Sequence, residues 1–536
     1  MMEHNNTHKN TNHLDVKIVV QRAKTSFTNA LQGEDELRDI YDLAMPNRNV
    51  FKNESDKTTD IFDSTAVNST MRFANRLQTE LTPPFQRWGE LKPGPVHEKT
   101  EKTKLKRLIE DLQFVSKVVH GALQSGGFTT AAHECYQDLA AGQAALAIMP
   151  GDMNAPVRYT AFPQAETATE LGQWDQIIGL HIKKKIDANQ ILNFWPKGKL
   201  SDKMKEMVKA GDSDGNSKKT KLDIFISYIW QKNETWEYHV TWPDDNFSIF
   251  TQEFPYQPFA APRWSRLAGD SRGRGPLHVA LPDIKTINKV KELLLMSAAL
   301  AIVGIYTIVD DGVVNPNTVR LVPGALIGVS SNGSGFAGPS IKQLETGRNF
   351  DLTQLLLEDL RISIKKALLD DQLPPDAGPV RSATEIVQRI KELAQDSGAA
   401  FGRLYDEWIV PIFKATIAIL QQQKIIPSDL DIPIDSLNFK IQVTSPLARI
   451  QDIQDLEGVI QYLNITKDTM GEETAEVAVK MEELNGWIAK RLGVPMRFIR
   501  NEEEREEVKQ QFAEIVKQQN AANQGVGQGP TVAAAA

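Results

Sequence analysis

Pro255-Tyr-Gln-Pro-Phe-Ala-Ala-Pro-Arg-Trp264, then Gly273-Arg-Gly-Pro276, then Ala280-Leu-Pro-Asp-Ile-Lys-Thr-Ile-Asn288 is the stretch that decides how this chain is read. A turn punctuated by Gly and Pro, carrying Arg272 and Arg274, runs into a helix start at which Asp283 is the expected N-cap. Ile284, Ile287, Val290 and Leu294 then share one face, and from Leu293 to Ile305 the sequence is almost wholly apolar. A helix that is apolar all round must be buried all round, in a deep core, a membrane or a ring of copies of itself.

The membrane option fits poorly. The candidate span 293–309 is interrupted by Ser297, Tyr306 and Thr307, and a spanning helix needs ~20 apolar residues. Gly304 and the β-branched run that follows also point to a change from helix to strand.

Working outward, residues 14–44 carry a helical pattern broken near Gly33 and ended by Met45-Pro46. Asp63 is the expected cap of a helix bearing Phe73, Leu77 and Leu81, which Pro83-Pro84 stops. Two further helices, 102–124 and 129–145, are separated by Gly126-Gly127, and the second is rich in alanine. Strands are expected to dominate 146–254, with the charged segment 197–221 as an exposed excursion. Beyond the apolar helix, short strands and turns are predicted to 350 and a helix over 351–370. Asp371-Gln-Leu-Pro-Pro-Asp-Ala-Gly-Pro-Val380 cannot be helical. Ser382-Ala-Thr-Glu385 is a capping box opening a helix to about 423, with Gly398 and Pro411 as kink points. Asn501 starts a last helix with the stripe Val508, Phe512 and Ile515. Residues 1–13, which lack the apolar core of a signal peptide, and 521–536 are predicted to be disordered.

The 536 residues carry 61 Lys and Arg against 69 Asp and Glu, a net charge of −8, which argues against a tight grip on nucleic acid. A single cysteine, Cys135, excludes an intrachain disulfide framework. Chemistry-bearing motifs are missing. Gly211-Asp-Ser-Asp-Gly-Asn-Ser-Lys-Lys-Thr220 has the spacing of neither a P-loop nor a calcium loop and reads as a solvated loop. His133 and Cys135 lack a second ligand pair at metal-binding spacing, so Cys135 reads as a small buried residue. No Gly-x-Ser-x-Gly elbow occurs near Ser330 or Ser334. Neither catalysis nor a cofactor is expected.

Several blocks, in order, resemble the portal (head-to-tail connector) proteins of short-tailed bacteriophages, the podovirus type. They are Ile61-Phe-Asp-Ser-Thr-Ala66, Leu81-Thr-Pro-Pro84 with Trp88, and the Ala/Gly-rich helix from Phe128 towards Asp152. Pro258-Phe259, Arg263-Trp264, Gly273-Arg-Gly-Pro276 and Leu281-Pro-Asp-Ile284 follow, then Ser445-Pro-Leu-Ala-Arg449 with Gln451, and Leu492-Gly-Val-Pro495. Arg272 stands where the family tends to carry an aromatic residue, which bears on local packing.

The resemblance implies an α+β, mainly helical portal architecture forming a ring of about twelve copies around an axial channel. It implies a wing at 14–282 and 382–470, stem helices at 283–305 and 351–370, a clip at 306–350, a channel loop at 371–381 and a crown at 471–520. Leu293, Leu294 and Ala298 would lie between copies in the stem, and Gln372, Asp376 and Arg381 would face DNA. Asp310, Asp311, Asn315, Asn317 and Arg320 of the clip would meet a tail adaptor protein and the terminase. Implied partners are other copies of the chain, major capsid and scaffold proteins, terminase, a tail adaptor and double-stranded DNA passing through without sequence reading. The setting would be a capsid vertex of the virion, reached by assembly in the host cytoplasm, with no membrane. Another phage structural protein, a scaffold or tail component, is the alternative; a metal-dependent nuclease with dispersed carboxylates is a third.

Overall fold

Asp15 opens the first helix by accepting the Lys17 N–H at 3.1 Å. This helix, α1 (Val16–Ala30), buries Val19, Val20, Ala23 and Ala30 along one face. The computed structural model describes residues 13–31, 33–51, 60–84, 86–94, 102–214, 221–231, 234–267, 269–303, 306–308, 341–343, 350–370, 400–427 and 439–443, with isolated helical positions between 458 and 488. The chain divides into two units, Met1–Val443 and Thr444–Ala536, and the elements below belong to the first.

Gly33, at φ +82°, turns the chain into α2 (Glu34–Leu43), whose first turn carries Glu34, Asp35 and Glu36 against the positive end of the helix dipole. The helix α3 (Thr65–Leu81) follows, with Ser64, not Asp63, at the cap position. Asp63 instead accepts the Thr65 N–H at 2.9 Å and reaches elsewhere with its other oxygen. After β1 (Gly89–Pro93) come α4 (Lys102–Ser125) and α5 (Phe128–Ala141). The buried alanines of α5 allow close packing, and α5 lies against α3. It ends earlier than the alanine pattern predicts, at Gly142, and Ala145 already belongs to a strand.

Strands β2 (Ala145–Pro150) and β3 (Val157–Phe162) form a three-stranded antiparallel sheet with the later β9 (Phe259–Ala260). A five-stranded antiparallel meander is built from β4 (Thr167–Leu171), β5 (Ile177–Asp187), β6 (Lys221–Trp230), β7 (Trp236–Trp242) and β8 (Phe247–Phe254). Residues 188–220 connect β5 to β6 through a short α6 (Ile191–Phe194) and α7 (Asp202–Asp214). The predicted exposed excursion 197–221 contains the helix 202–214, whose described side chains are mostly open to solvent and which is anchored by the fully buried Met204.

The Gly- and Pro-rich stretch is explained by contact at the backbone. The short strands β10 (Ser265–Arg266) and β11 (Gly273–Arg274) pair antiparallel and lie against the end of α5. A Cβ on Gly275 would come within 2.1 Å of the Ala140 carbonyl oxygen, and one on Gly273 within 2.3 Å of the Gly142 carbonyl oxygen. Only glycine allows backbones this close. Just before Gly273, Arg272 is half-buried, and its Nε and Nη1 have no hydrogen-bond partner. Burial lowers its pKa, opposed by Glu34 and Asp270.

The chain continues through α8 (Pro276–Val303), β12 (Tyr306–Ile308), β13 (Ile341–Gln343) and α9 (Phe350–Ala367). The long predicted helix is described from residue 400 and contains a π-helical turn at Tyr405–Ile409 followed by α10 (Val410–Gln422). Pro411 has no N–H to continue an α-ladder, and the wide turn lies just before it. Ile412, Phe413, Ala415, Ile417, Ile419 and Leu420 make α10 buried on most sides. Trp408 donates to the Tyr136 hydroxyl at 3.0 Å, and Tyr136 meets Thr82 at 2.8 Å, which joins α10's lead-in, α5 and the end of α3 in one buried network. Finally β14 (Phe439–Val443) pairs antiparallel with β1.

The fold is mixed helix and sheet, in keeping with the α+β reading. The predicted helix at 501, the Gly398 kink point and the segments read as disordered lie outside the described residues, except His13, whose ring meets Glu237 at 3.2 Å.

Candidate oligomer interface

The apolar helix starts eight residues before the sequence reading placed it, at Pro276 rather than after Asp283. Proline at the first helical position loses no hydrogen bond and has its φ already set, so Gly275-Pro276 is the true start. Pro282 lies inside the helix at an exposed position and does not stop it. Asp283 is consequently an interior residue, and its Oδ2 accepts the Ser363 hydroxyl of α9 at 2.7 Å. That bond joins the early part of α8 to the late part of α9, while Lys291 later in α8 and Arg361 earlier in α9 share the Asp63 carboxylate, so the two helices run antiparallel. Tyr306–Ile308 and Ile341–Gln343 pair antiparallel where the chain leaves α8 and returns towards α9.

The two halves of α8 differ. In the first, Leu277, Ala280, Leu281, Ile284 and Ile287 are buried. From residue 288 to 299 no side chain is buried by the rest of the chain. Leu293 is 53 % exposed, and Leu294 and Ala298 are half-buried. Leu295 and Met296 are comparably exposed, as are Leu355, Leu356 and Ile362 on α9. Between them, Leu357 and Ile364 are buried. The hairpin thus closes a thin apolar seam and leaves large side chains of both helices uncovered. An exposed apolar area of this kind marks a surface meant to be covered. No helix among the described residues is long and apolar enough to cross a membrane.

Polar bonds hold the base of the hairpin to α3. Asn288 accepts the Phe62 N–H at 2.7 Å and donates to the Asp60 carbonyl at 3.2 Å. Asp63 is buried, and its Oδ2 accepts Lys291 of α8 at 3.2 Å and Arg361 of α9 at 2.7 Å through Nη2 and 3.2 Å through Nε. Burial alone would raise the Asp63 carboxyl, but bonds from Thr65, Arg361 and Lys291 outweigh it and hold it well below the usual carboxylate range. Past the end of α9, Asp370 accepts Ser69 at 2.7 Å and Arg72 at 3.3 Å, and Arg76 donates to the Leu369 carbonyl at 2.5 Å.

The structure brings Leu293, Leu294 and Ala298 together on one helix. Asp310, Asp311, Asn315, Asn317 and Arg320, and likewise Gln372, Asp376 and Arg381, lie outside the described residues. The sequence reading missed the ring of bonds around Asp63, because a residue before a helix reads as its cap and partners 228 and 298 positions away leave no local trace. Cys135 is buried, as read, and burial raises its thiol pKa. His133 bonds to Asn75 at 2.8 Å. No group of three or more metal-type ligands occurs among the described residues.

Comparison with known proteins agrees with the ordered motifs. The family model described as bacteriophage head to tail connecting protein matches residues 19–499. A probable portal protein of Bordetella phage BPP-1 is 22 % identical over 431 residues, covering 77 % of this chain and 76 % of its own. The portal protein of Enterobacteria phage T3 is 20 % identical over 444 residues, covering 80 % and 78 %.

Proposed function

We propose that this chain, which belongs to the bacteriophage head to tail connecting protein family, is a portal: a ring at one capsid vertex through which DNA enters and leaves. The family match along most of the sequence supports the portal assignment. The observation that carries the ring is the stretch 288–299 of α8, in which no side chain is buried and Leu293, Leu295 and Met296 are half exposed. In a ring each such helix has a neighbour on either side, so a surface exposed in one copy becomes core between copies.

In this reading α8 and α9 are the stem, and Leu293, Leu294 and Ala298 are packed between subunits. Residues 14–282 and 382–470 form the wing, 306–350 the clip, 371–381 the channel loop and 471–520 the crown. The ring holds about twelve copies, the number that the resemblance to podovirus portal proteins implies, and it closes on itself through one repeated contact. Asp310, Asp311, Asn315, Asn317 and Arg320 meet the tail adaptor and the terminase. Gln372, Asp376 and Arg381 touch DNA as it slides. The net charge of −8 suits a conduit, because a strongly basic lumen would hold DNA through phosphate contacts and counterion release. The role is structural: the terminase supplies the motor, and capsid and scaffold proteins supply the setting.

The channel assignment is tested by shortening 376–380 in otherwise intact protein. Rings form normally, and the number of DNA-filled heads per procapsid falls. Unchanged packaging makes 371–381 a structural corner instead. Replacing 306–350 by a short linker tests the clip: adaptor binding is lost, and retained binding rejects the assignment.

A further inference from the structure

We infer that Asp63 is a positioning residue that sets the register between α8 and α9, and so aligns the two halves of each subunit's interface. This rests on reading the hairpin as the subunit interface. The seam between the helices is aliphatic, formed by side chains such as Ile284, Ile287, Leu357 and Ile364. Aliphatic contact is non-directional and tolerates a slide of one helix along the other. Directional bonds must therefore fix the register.

Asp63 is placed to do so. Its Oδ2 accepts Lys291 of α8 and Arg361 of α9 at 3.2 and 2.7 Å, so one buried atom is bonded to both helices. The direct bond from Ser363 to Asp283 also joins the helices, but it is exposed to water and so adds little hold; the bonds of Asn288 reach α8 alone, and those of Asp370 and Leu369 hold the end of α9 alone. Sliding α9 by one turn, about 5.4 Å, takes Arg361 out of reach. The same slide carries the exposed Leu355, Leu356 and Ile362 of α9 along the hairpin relative to the exposed side chains of α8, so a neighbouring subunit would meet a different surface. Asp63 belongs to the segment that leads into α3, and α3 packs on α5. The buried hold on the register of the interface is thus tied to the wing side of the fold and not set within the hairpin alone.

Cysteine pairs in the full-length assembled protein test this. Asp283→Cys with Ser363→Cys reports the observed register, since these side chains bond at 2.7 Å. Asp283→Cys with Asp359→Cys reports α9 displaced by one turn. The native Cys135 is buried and does not compete. Each pair is oxidised and the disulfides are counted by peptide mass spectrometry. With Asp63 present, 283–363 is the dominant link. Asp63→Asn shifts the ratio of the two links by about tenfold towards 283–359, the worth of one charge-assisted hydrogen bond. Asp63→Glu, which keeps the charge, restores it. The double variant Lys291→Met, Arg361→Met gives the same shift by a second route, which covers the case in which Asp63→Asn does not fold. Ratios unchanged in the folded variants overturn the inference. Particle mass on the same samples separates the two claims. A monomer whose links still follow Asp63 rejects only the interface reading, and a ring whose links ignore Asp63 rejects only this one.

Discussion

Arg263 and Glu407 meet across 144 positions of sequence, with the Arg263 guanidinium donating to Glu407 Oε1 at 2.6 Å and its backbone N–H to Oε2 at 2.9 Å. The arginine side chain is almost wholly buried, and Glu407 sits in the π-helical turn before α10. The pair ties the Pro-Arg-Trp segment to the helix that runs through the core. Arg403 adds a bond to the Trp264 carbonyl.

Glu407→Ala leaves that guanidinium buried without its carboxylate, holding only the Asp175 carbonyl at 3.2 Å. Removing one member of a buried ion pair costs about 3–5 kcal/mol. Denaturant unfolding of the variant is expected to show a loss in this range. A loss below about 1 kcal/mol, the size of a surface pair, would mean that the arginine finds another acceptor.

Two glycine substitutions separate backbone contact from helix propensity. Gly275→Ala forces a Cβ against the Ala140 carbonyl and is expected to destabilise strongly or prevent folding. Gly121→Ala, inside α4, meets nothing within 4 Å and is expected to stabilise by up to about 1 kcal/mol. Thermal unfolding of the pair checks both signs.

What could be read in the sequence was local. The helices of the first hundred and fifty or so residues carry their periodicity and their Gly and Pro stops in adjacent positions, and α1, α2 and α3 fall where these signals put them. The boundary errors have physical causes: Asp283 reads as the N-cap although the helix already starts at Pro276, and Asp63 reads as a cap although its carboxylate serves two distant helices. The glycines of Gly273-Arg-Gly-Pro276 matched a family pattern, but their reason, backbone contact with α5, exists only once the chain is folded.

Acid should loosen the base of the hairpin. The folded-state pKa of Asp63 lies below its unfolded value near 3.8, so the stability it contributes is complete above about pH 4 and is lost as pH falls further. Asp63→Asn removes this contribution. Urea midpoints from pH 6 down to pH 3 are expected to fall less steeply for the variant than for the unaltered protein. Parallel curves would show that Asp63 does not couple folding to protonation.

Leu294→Asp places a charge in the surface that assembly buries. In one copy Leu294 is only half-buried, so the isolated subunit should tolerate the change. In the assembly an unpaired charge would lie in every interface. Size-exclusion chromatography is expected to show folded protein that no longer assembles, and normal assembly would remove Leu294 from the interface.

The most direct measurement is the mass and shape of the purified full-length protein at micromolar concentration and moderate salt, by light scattering and electron microscopy of single particles. The account predicts closed rings with an axial hole and a mass of about twelve chains. A stable monomer, with Leu293, Leu295 and Met296 left facing water, would contradict it.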